Sequence, residues 1–215
     1  MLEQPEDLRR RLQAAWEKLV PGHPEIGVQL LERWNEPHRD YHGQTHLAYG
    51  LDRLEELGAA PLEYVAFWFH DAVHHNDTPS DELASAVMAR ELLEGVLPPD
   101  QVEEVARLVL VTINHDPRPG DGAGARVSDA DLAVLGAEPS DYARTVQSIR
   151  AEFSQLAEPE WDRGRIAFTG ALLNRPRLFL TPEGERLWEA AARRNLAHER
   201  DTRLAGDPSR IKDVL

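Results

Sequence analysis

The chain contains no cysteine, which excludes disulfides, a thiolate zinc site and a cysteine nucleophile. Long apolar runs are missing too: the longest, Leu108 to Ile113, falls far short of the ~18 residues that a membrane helix needs. The first residues, MLEQPEDLRRRLQ, lack the apolar stretch of a signal peptide, so a cytoplasmic protein with no membrane partner is expected. Positive charge is scarce. Against 38 Asp and Glu stand 24 Lys and Arg, a formal net charge of −14, which argues against an extended nucleic-acid or anionic-lipid surface. Strand signals are nearly absent, and neither a Gly-rich phosphate loop nor a GxSxG elbow occurs, so kinase and serine-hydrolase chemistry have no support.

What remains is helical pattern. Leu8, Leu12, Ala15, Trp16 and Leu19 line one face of an amphipathic segment from Glu6 to Leu19. Pro24, Pro61 and Pro99 suit the first positions of helices, Thr45 and Ser80 suit helix starts, and Gly58 suits a stop. These signals predict helices from Pro24 to Trp34, from Thr45 to Leu57, from Pro61 to Asp71 or a little beyond, from Ser80 to Gly95 and from Pro99 to Asn114. Later helices are expected over 128–135, 139–156, 160–173 and 182–204. The stretch DPRPGDGAGA, 116–125, reads as a loop because of its prolines and glycines. With no repeat and no shift of composition, the expectation is a single all-α domain over 1–215.

Within this pattern, AFWFHDAVHHND is out of place. The apolar run Val65 to Phe69 directs His70 and Asp71 towards the interior, where an unpartnered carboxylate costs several kcal/mol. Either a buried His–Asp pair or a metal ion would relieve that cost. Seven of the nine histidines, His38, His42, His46, His70, His74, His75 and His115, fall in roughly the middle third of the chain. Neutral imidazole is the commonest protein metal ligand, and Asp suits a hard or borderline cation.

The order of YHGQTHLA, FHDAVHHND, TINHD and SDADLAVLG resembles the HD-domain superfamily of metal-dependent phosphohydrolases, over about residues 30–140. With the tail EAAARRNLAHE, it is similar to the predicted HD phosphohydrolases of bacteria. The resemblance implies a helical HD-type bundle whose metal ligands are His46, His70, Asp71 and Asp131, with Asp129 the rival for the last place. It implies hydrolysis of a phosphoester of a small molecule, with nucleotides the first class to expect, by water activated on a divalent ion. Mn, Mg, Zn, Fe, Ni and Co all suit such ligands. YHGQTH is also similar to the YHNxxH of cyclic-nucleotide phosphodiesterases, with Gly43 in place of Asn, and this makes His42 the proton donor to the leaving group and Asp71 its catalytic companion.

Binuclear members add histidines, so His74, His75 and His115 are candidates for a second ion or for a polar rim, with Glu82 a candidate support. Where HD nucleotidases carry a Glu three residues past the aspartate, this chain has His74. Arg39, Arg118 and Arg126 flank the site and are candidates to bind a phosphate. Two other readings belong to the same scaffold: a di-iron oxygenase, and a non-catalytic metal- or nucleotide-binding module.

Overall fold

The computed structural model describes residues 4–206. Among them the fold is all-α, with no strand beyond an isolated bridge between Glu94 and Leu97. The chain divides into two compact units, the first ending at Asp131 and the second beginning at Leu132. The sequence suggested one domain over 1–215; the division falls inside a helix, where no change of composition marks it.

The first unit holds α1 (Pro5–Leu19), α2 (Pro24–Arg33), α3 (Gln44–Glu56), α4 (Pro61–Phe69), α5 (Ser80–Leu93), α6 (Pro99–Val111) and most of α7 (Gly122–Leu132). Four of these, α1, α2, α4 and α6, begin on proline, whose fixed φ suits a first turn and whose missing N–H would have had no helical partner there. α3 stops where Gly58 takes φ +67°, as expected of a glycine beyond a helix end.

α4 is the central element. Val65, Ala66, Phe67, Trp68 and Phe69 are all buried, so the second half of the helix is apolar on every side. It packs against α1, α3, α5 and α6. Trp16, on α1, meets Trp68 and Phe69 edge-on at 5.2 and 6.2 Å between ring centres. The LVLVTI stretch lies mainly in α6, whose Val102, Val105, Leu108 and Val109 face the interior.

Two expectations are corrected. α4 ends at Phe69 rather than running through Asp71, and the chain leaves the helix at His70. The predicted loop over 116–125 is shorter, because α7 starts at Gly122. Asp121 accounts for the early start: its Oδ1 accepts the Gly124 N–H at 2.9 Å, satisfying a first-turn donor that has no helical partner.

The second unit holds a 3₁₀ turn (Ala133–Gly136), α8 (Pro139–Glu152), α9 (Glu158–Leu173), α10 (Pro182–Gly184), a π turn (Glu185–Glu189) and α11 (Ala190–Gly206). Glu189, Arg193, Asn195 and Glu199 of EAAARRNLAHE are spent inside it. Glu189 accepts the backbone N–H groups of Leu178 and Phe179 at 2.9 and 3.0 Å. The Asn195 amide donates to the carbonyls of Leu135 and Ala137, both at 2.9 Å. Glu199 receives a two-pronged contact from Arg165, at 2.9 Å on each oxygen, along with the hydroxyl of Tyr142. This tail is a set of structural brackets.

Candidate metal centre

Three elements bring side chains to one point in the first unit. His46 lies in the first turn of α3, His70 and Asp71 in the turn that leaves α4, and Asp131 in the last turn of α7. His46 Nε2 is 3.3 Å from His70 Nε2 and 3.2 Å from Asp131 Oδ1. His70 Nε2 is 3.2 Å from Asp71 Oδ2 and 3.6 Å from Asp131 Oδ1, and Asp71 Oδ2 is 3.9 Å from His46 Nε2. Both imidazoles are buried, at 3% and 1% exposure.

His70 keeps helical backbone angles, φ −56° and ψ −39°, as the last turn of α4 opens, and its Nε2 and Asp71 Oδ2 end 3.2 Å apart. On the other side, α3 comes close to α4 because position 50 is glycine: a Cβ there would overlap the Phe67 ring. The Phe67 ring lies 4.3 Å from His70 and 5.9 Å from His46. Trp34, held by its Nε1–H to the Trp68 carbonyl at 3.0 Å, lies 5.4 Å from the His70 ring. The two form an apolar floor beneath the histidines.

Charge and tautomer then call for a cation. His70 Nδ1 lies 2.7 Å from the Phe67 carbonyl, which can only accept, so Nδ1 carries a hydrogen. A neutral His70 therefore turns the lone pair of Nε2 towards the carboxylates, and acceptor would face acceptor. Burial pushes the imidazolium down, but Asp71 and Asp131 beside it reverse this and hold His70 well above 6.5. Asp71 and Asp131 are in turn held below the ordinary carboxylate range: burial raises each, and the neighbouring histidines, His70 foremost, outweigh it.

The alternative to a proton is a metal ion, and the donors fit one. Donors bound at ~2.1 Å to a common ion lie ~3.0 Å apart in an octahedron and ~3.4 Å apart in a tetrahedron. The separations of 3.2, 3.3 and 3.6 Å among His46, His70 and Asp131 match those edges. Two carboxylates also balance a divalent charge. His46, His70 and Asp131 could hold a metal ion, with Asp71 Oδ2 beside them at 3.2 Å from His70; which ion is left open by imidazole and carboxylate donors.

Asp129 does not join them. It is fully buried on α7, two residues and hence ~200° of helix from Asp131. His74 and His115 stand at the edge, with His74 Nδ1 3.9 Å from Asp71 Oδ1 and His115 Nε2 3.7 Å from Asp131 Oδ2. His115 takes the left-handed φ of +51°, rare for a residue with a side chain, as the chain turns off α6. The His42 ring lies 4.0 Å from that of His74 and 5.7 Å from that of His46.

Other expected residues are placed elsewhere. His75 is exposed, stacked on the His38 ring at 5.6 Å, and does not join the convergent group. Glu82 is buried and accepts the Thr78 hydroxyl at 2.8 Å, also outside that group. Arg39 and Arg126, expected to flank a phosphate, are both engaged by protein groups. Arg126 forks onto the buried carboxylate of Glu63, at 2.7 Å on each oxygen. Arg39 has a fully covered side chain whose donors are all in use. Arg118 is exposed, near Asp121, whose carboxyl burial pushes up and the Arg107 hydrogen bond, with a smaller part from Arg118, holds down. The sequence reading missed the floor of Trp34 and Phe67, which only the pairing of α3 with α4 reveals.

Comparison with protein-family models, with curated proteins and with solved structures finds no match to this chain.

Proposed function

We propose that this protein is a metal-dependent phosphohydrolase of the HD type, acting on a phosphoester of a small molecule, nucleotides foremost. One observation carries the reading: His46, His70, Asp71 and Asp131 converge around two buried imidazoles in an arrangement that could hold a metal ion. No helix among the described residues is long and apolar enough to cross a membrane.

His46, His70, Asp71 and Asp131 would hold the ion. A divalent cation there supplies Lewis acidity, acidifying a water and drawing charge from a phosphoryl oxygen. Asp71 divides its oxygens: Oδ2 faces His70 at 3.2 Å, and Oδ1 faces His74 at 3.9 Å, where it can take the proton of an attacking water. His42 stands beside His46 and His74 and would give a proton to the departing oxygen. The apolar floor of Trp34 and Phe67 keeps bulk water from the buried side of the ligands.

A second reading, the di-iron oxygenase, draws on His74 and His115, which stand within 4 Å of Asp71 and Asp131. One assay separates the two. Wild type and His70→Ala are incubated with Mn2+ and, separately, with Fe2+ under air, against a panel of nucleotides and nitrophenyl phosphoesters. Metal-dependent phosphoester cleavage in wild type alone supports the hydrolase. Oxygen uptake without cleavage replaces it with the oxygenase, and neither activity in either metal leaves a binding module.

A further inference from the structure

Arg39 sits in the loop between α2 and α3, and no part of its side chain is exposed. A guanidinium has five N–H donors, and all five are used. Nε and Nη2 donate to Glu36 Oε2 at 3.1 and 3.0 Å. Nη1 donates to the carbonyls of His42 and Asp71 at 3.2 and 2.7 Å, and Nη2 to that of Ala72 at 3.2 Å. The guanidinium carbon also lies 5.6 Å from the centre of the Trp34 ring, part of the floor beneath His70.

The carbonyls matter most. Those of Asp71 and Ala72 belong to the turn that leaves α4 and aims His70 and Asp71 at the centre. The carbonyl of His42 belongs to the approach to α3, two residues before Gln44 opens the helix that carries His46. One rigid, planar group therefore joins the peptide of Asp71 to that of His42. We infer that Arg39 is the positioning residue of the metal centre: its fork sets the place of the His70–Asp71 turn against the start of α3, and so sets cation affinity. Glu36 orients the fork, and although burial pushes its carboxyl up, the hydrogen bonds and charges of Arg39 and Arg33 hold it below its ordinary range. Lysine, a point charge with three donors and no plane, cannot make these five bonds.

This inference rests on the proposed metal centre, and the experiment separates failure of one from failure of the other. Co2+ is titrated into metal-free wild type, Arg39→Lys, Glu36→Gln and Leu93→Ala, following the visible d–d bands and the affinity. Leu93 is a fully buried residue at the end of α5 and serves as a variant that loses stability alone. The expected result is tight binding by wild type and by Leu93→Ala. Arg39→Lys should bind roughly 10–100-fold more weakly, as for loss of a group that orients metal ligands, with altered bands. If Arg39→Lys does not fold, Glu36→Gln decides, with weakening in the same direction. Wild-type affinity and bands in Arg39→Lys, or in Glu36→Gln where only that variant folds, overturn the inference while the centre stands. Leu93→Ala weakening Co2+ as much as Arg39→Lys also overturns it. No Co2+ bound by wild type overturns both.

Discussion

The Nδ1–H of His70 donates to the carbonyl of Phe67, its own helix neighbour three residues back, at 2.7 Å. That single bond decides the tautomer and leaves Nε2 to face Asp71 and Asp131, so the end of α4 is built to present an electron pair.

Asp131 and Asp129 should separate cleanly. Asp131→Ala removes a donor 3.2 Å from His46 Nε2 and should bind metal far more weakly while keeping its fold. Asp129 is fully buried away from the centre, so Asp129→Ala should lower the melting temperature and keep more of its metal. Elemental analysis beside thermal melts checks this. A larger metal loss in Asp129→Ala would move the ligand by two residues.

His42 and His46 should also divide. His46→Ala should lose metal and turnover together, because its Nε2 belongs to the convergent set. His42→Ala should keep the metal and lose kcat by about 10²–10⁴-fold, the range for a lost general acid. A nitrophenyl phosphoester, whose leaving group needs little protonation, should hide part of that loss. An empty metal site in His42→Ala would make His42 a ligand instead.

Much of this site was legible in the order of residues, and its supports were not. His70–Asp71 stands out because a histidine and an acid directly behind an apolar run are costly without a partner, while His46 and Asp131 are read only through the resemblance to the HD-domain order of motifs. The prolines that open α1, α2, α4 and α6 act locally, so they too can be read from sequence. The end of α4 at Phe69 could not, because no glycine or proline marks it and the Val73 N–H that would extend the helix is taken by the Ser85 hydroxyl of α5. The same holds for Arg39 itself: near a site it reads as a phosphate ligand, and only the fold shows its donors spent. α7 was missed at its start because the glycines of GDGAGA outweighed Asp121 in the reading, although an aspartate ahead of a helix is a cap signal.

Gly50→Ala tests the close approach of α3 and α4. In an open helix the change would gain about 1 kcal/mol of propensity. Here the added carbon overlaps the Phe67 ring, and overpacking costs about 1–3 kcal/mol. The overlap should win. Denaturant unfolding should show a net loss of stability, and metal titration should show weaker binding as His46 and His70 are forced apart. A variant more stable than wild type with unchanged metal affinity would refute the packing argument.

In the second unit, Glu199 gives a pH dependence. Burial pushes its carboxyl up, but Arg165, Tyr142 and Arg203 outweigh this and hold it below its ordinary 4.5. A carboxyl lowered in the fold contributes stability that is complete above that ordinary value and lost as pH falls through the folded one. The gap in melting temperature between wild type and Glu199→Gln should therefore be constant from pH 7 to about 5.5 and shrink below about 4.5. A gap that stays constant down to pH 3 would show that Glu199 draws no stability from its charge.

His46, His70 and Asp131, with Asp71 beside them, could hold a divalent ion. Equilibrium dialysis of metal-free protein against Mn2+, with wild type and His70→Ala side by side, tests it most directly. The account predicts at least one tightly held ion per wild-type chain, a rise in melting temperature with metal concentration as expected for a ligand of the folded state, and neither effect in His70→Ala. Equal metal and equal stabilisation in the two proteins would contradict it.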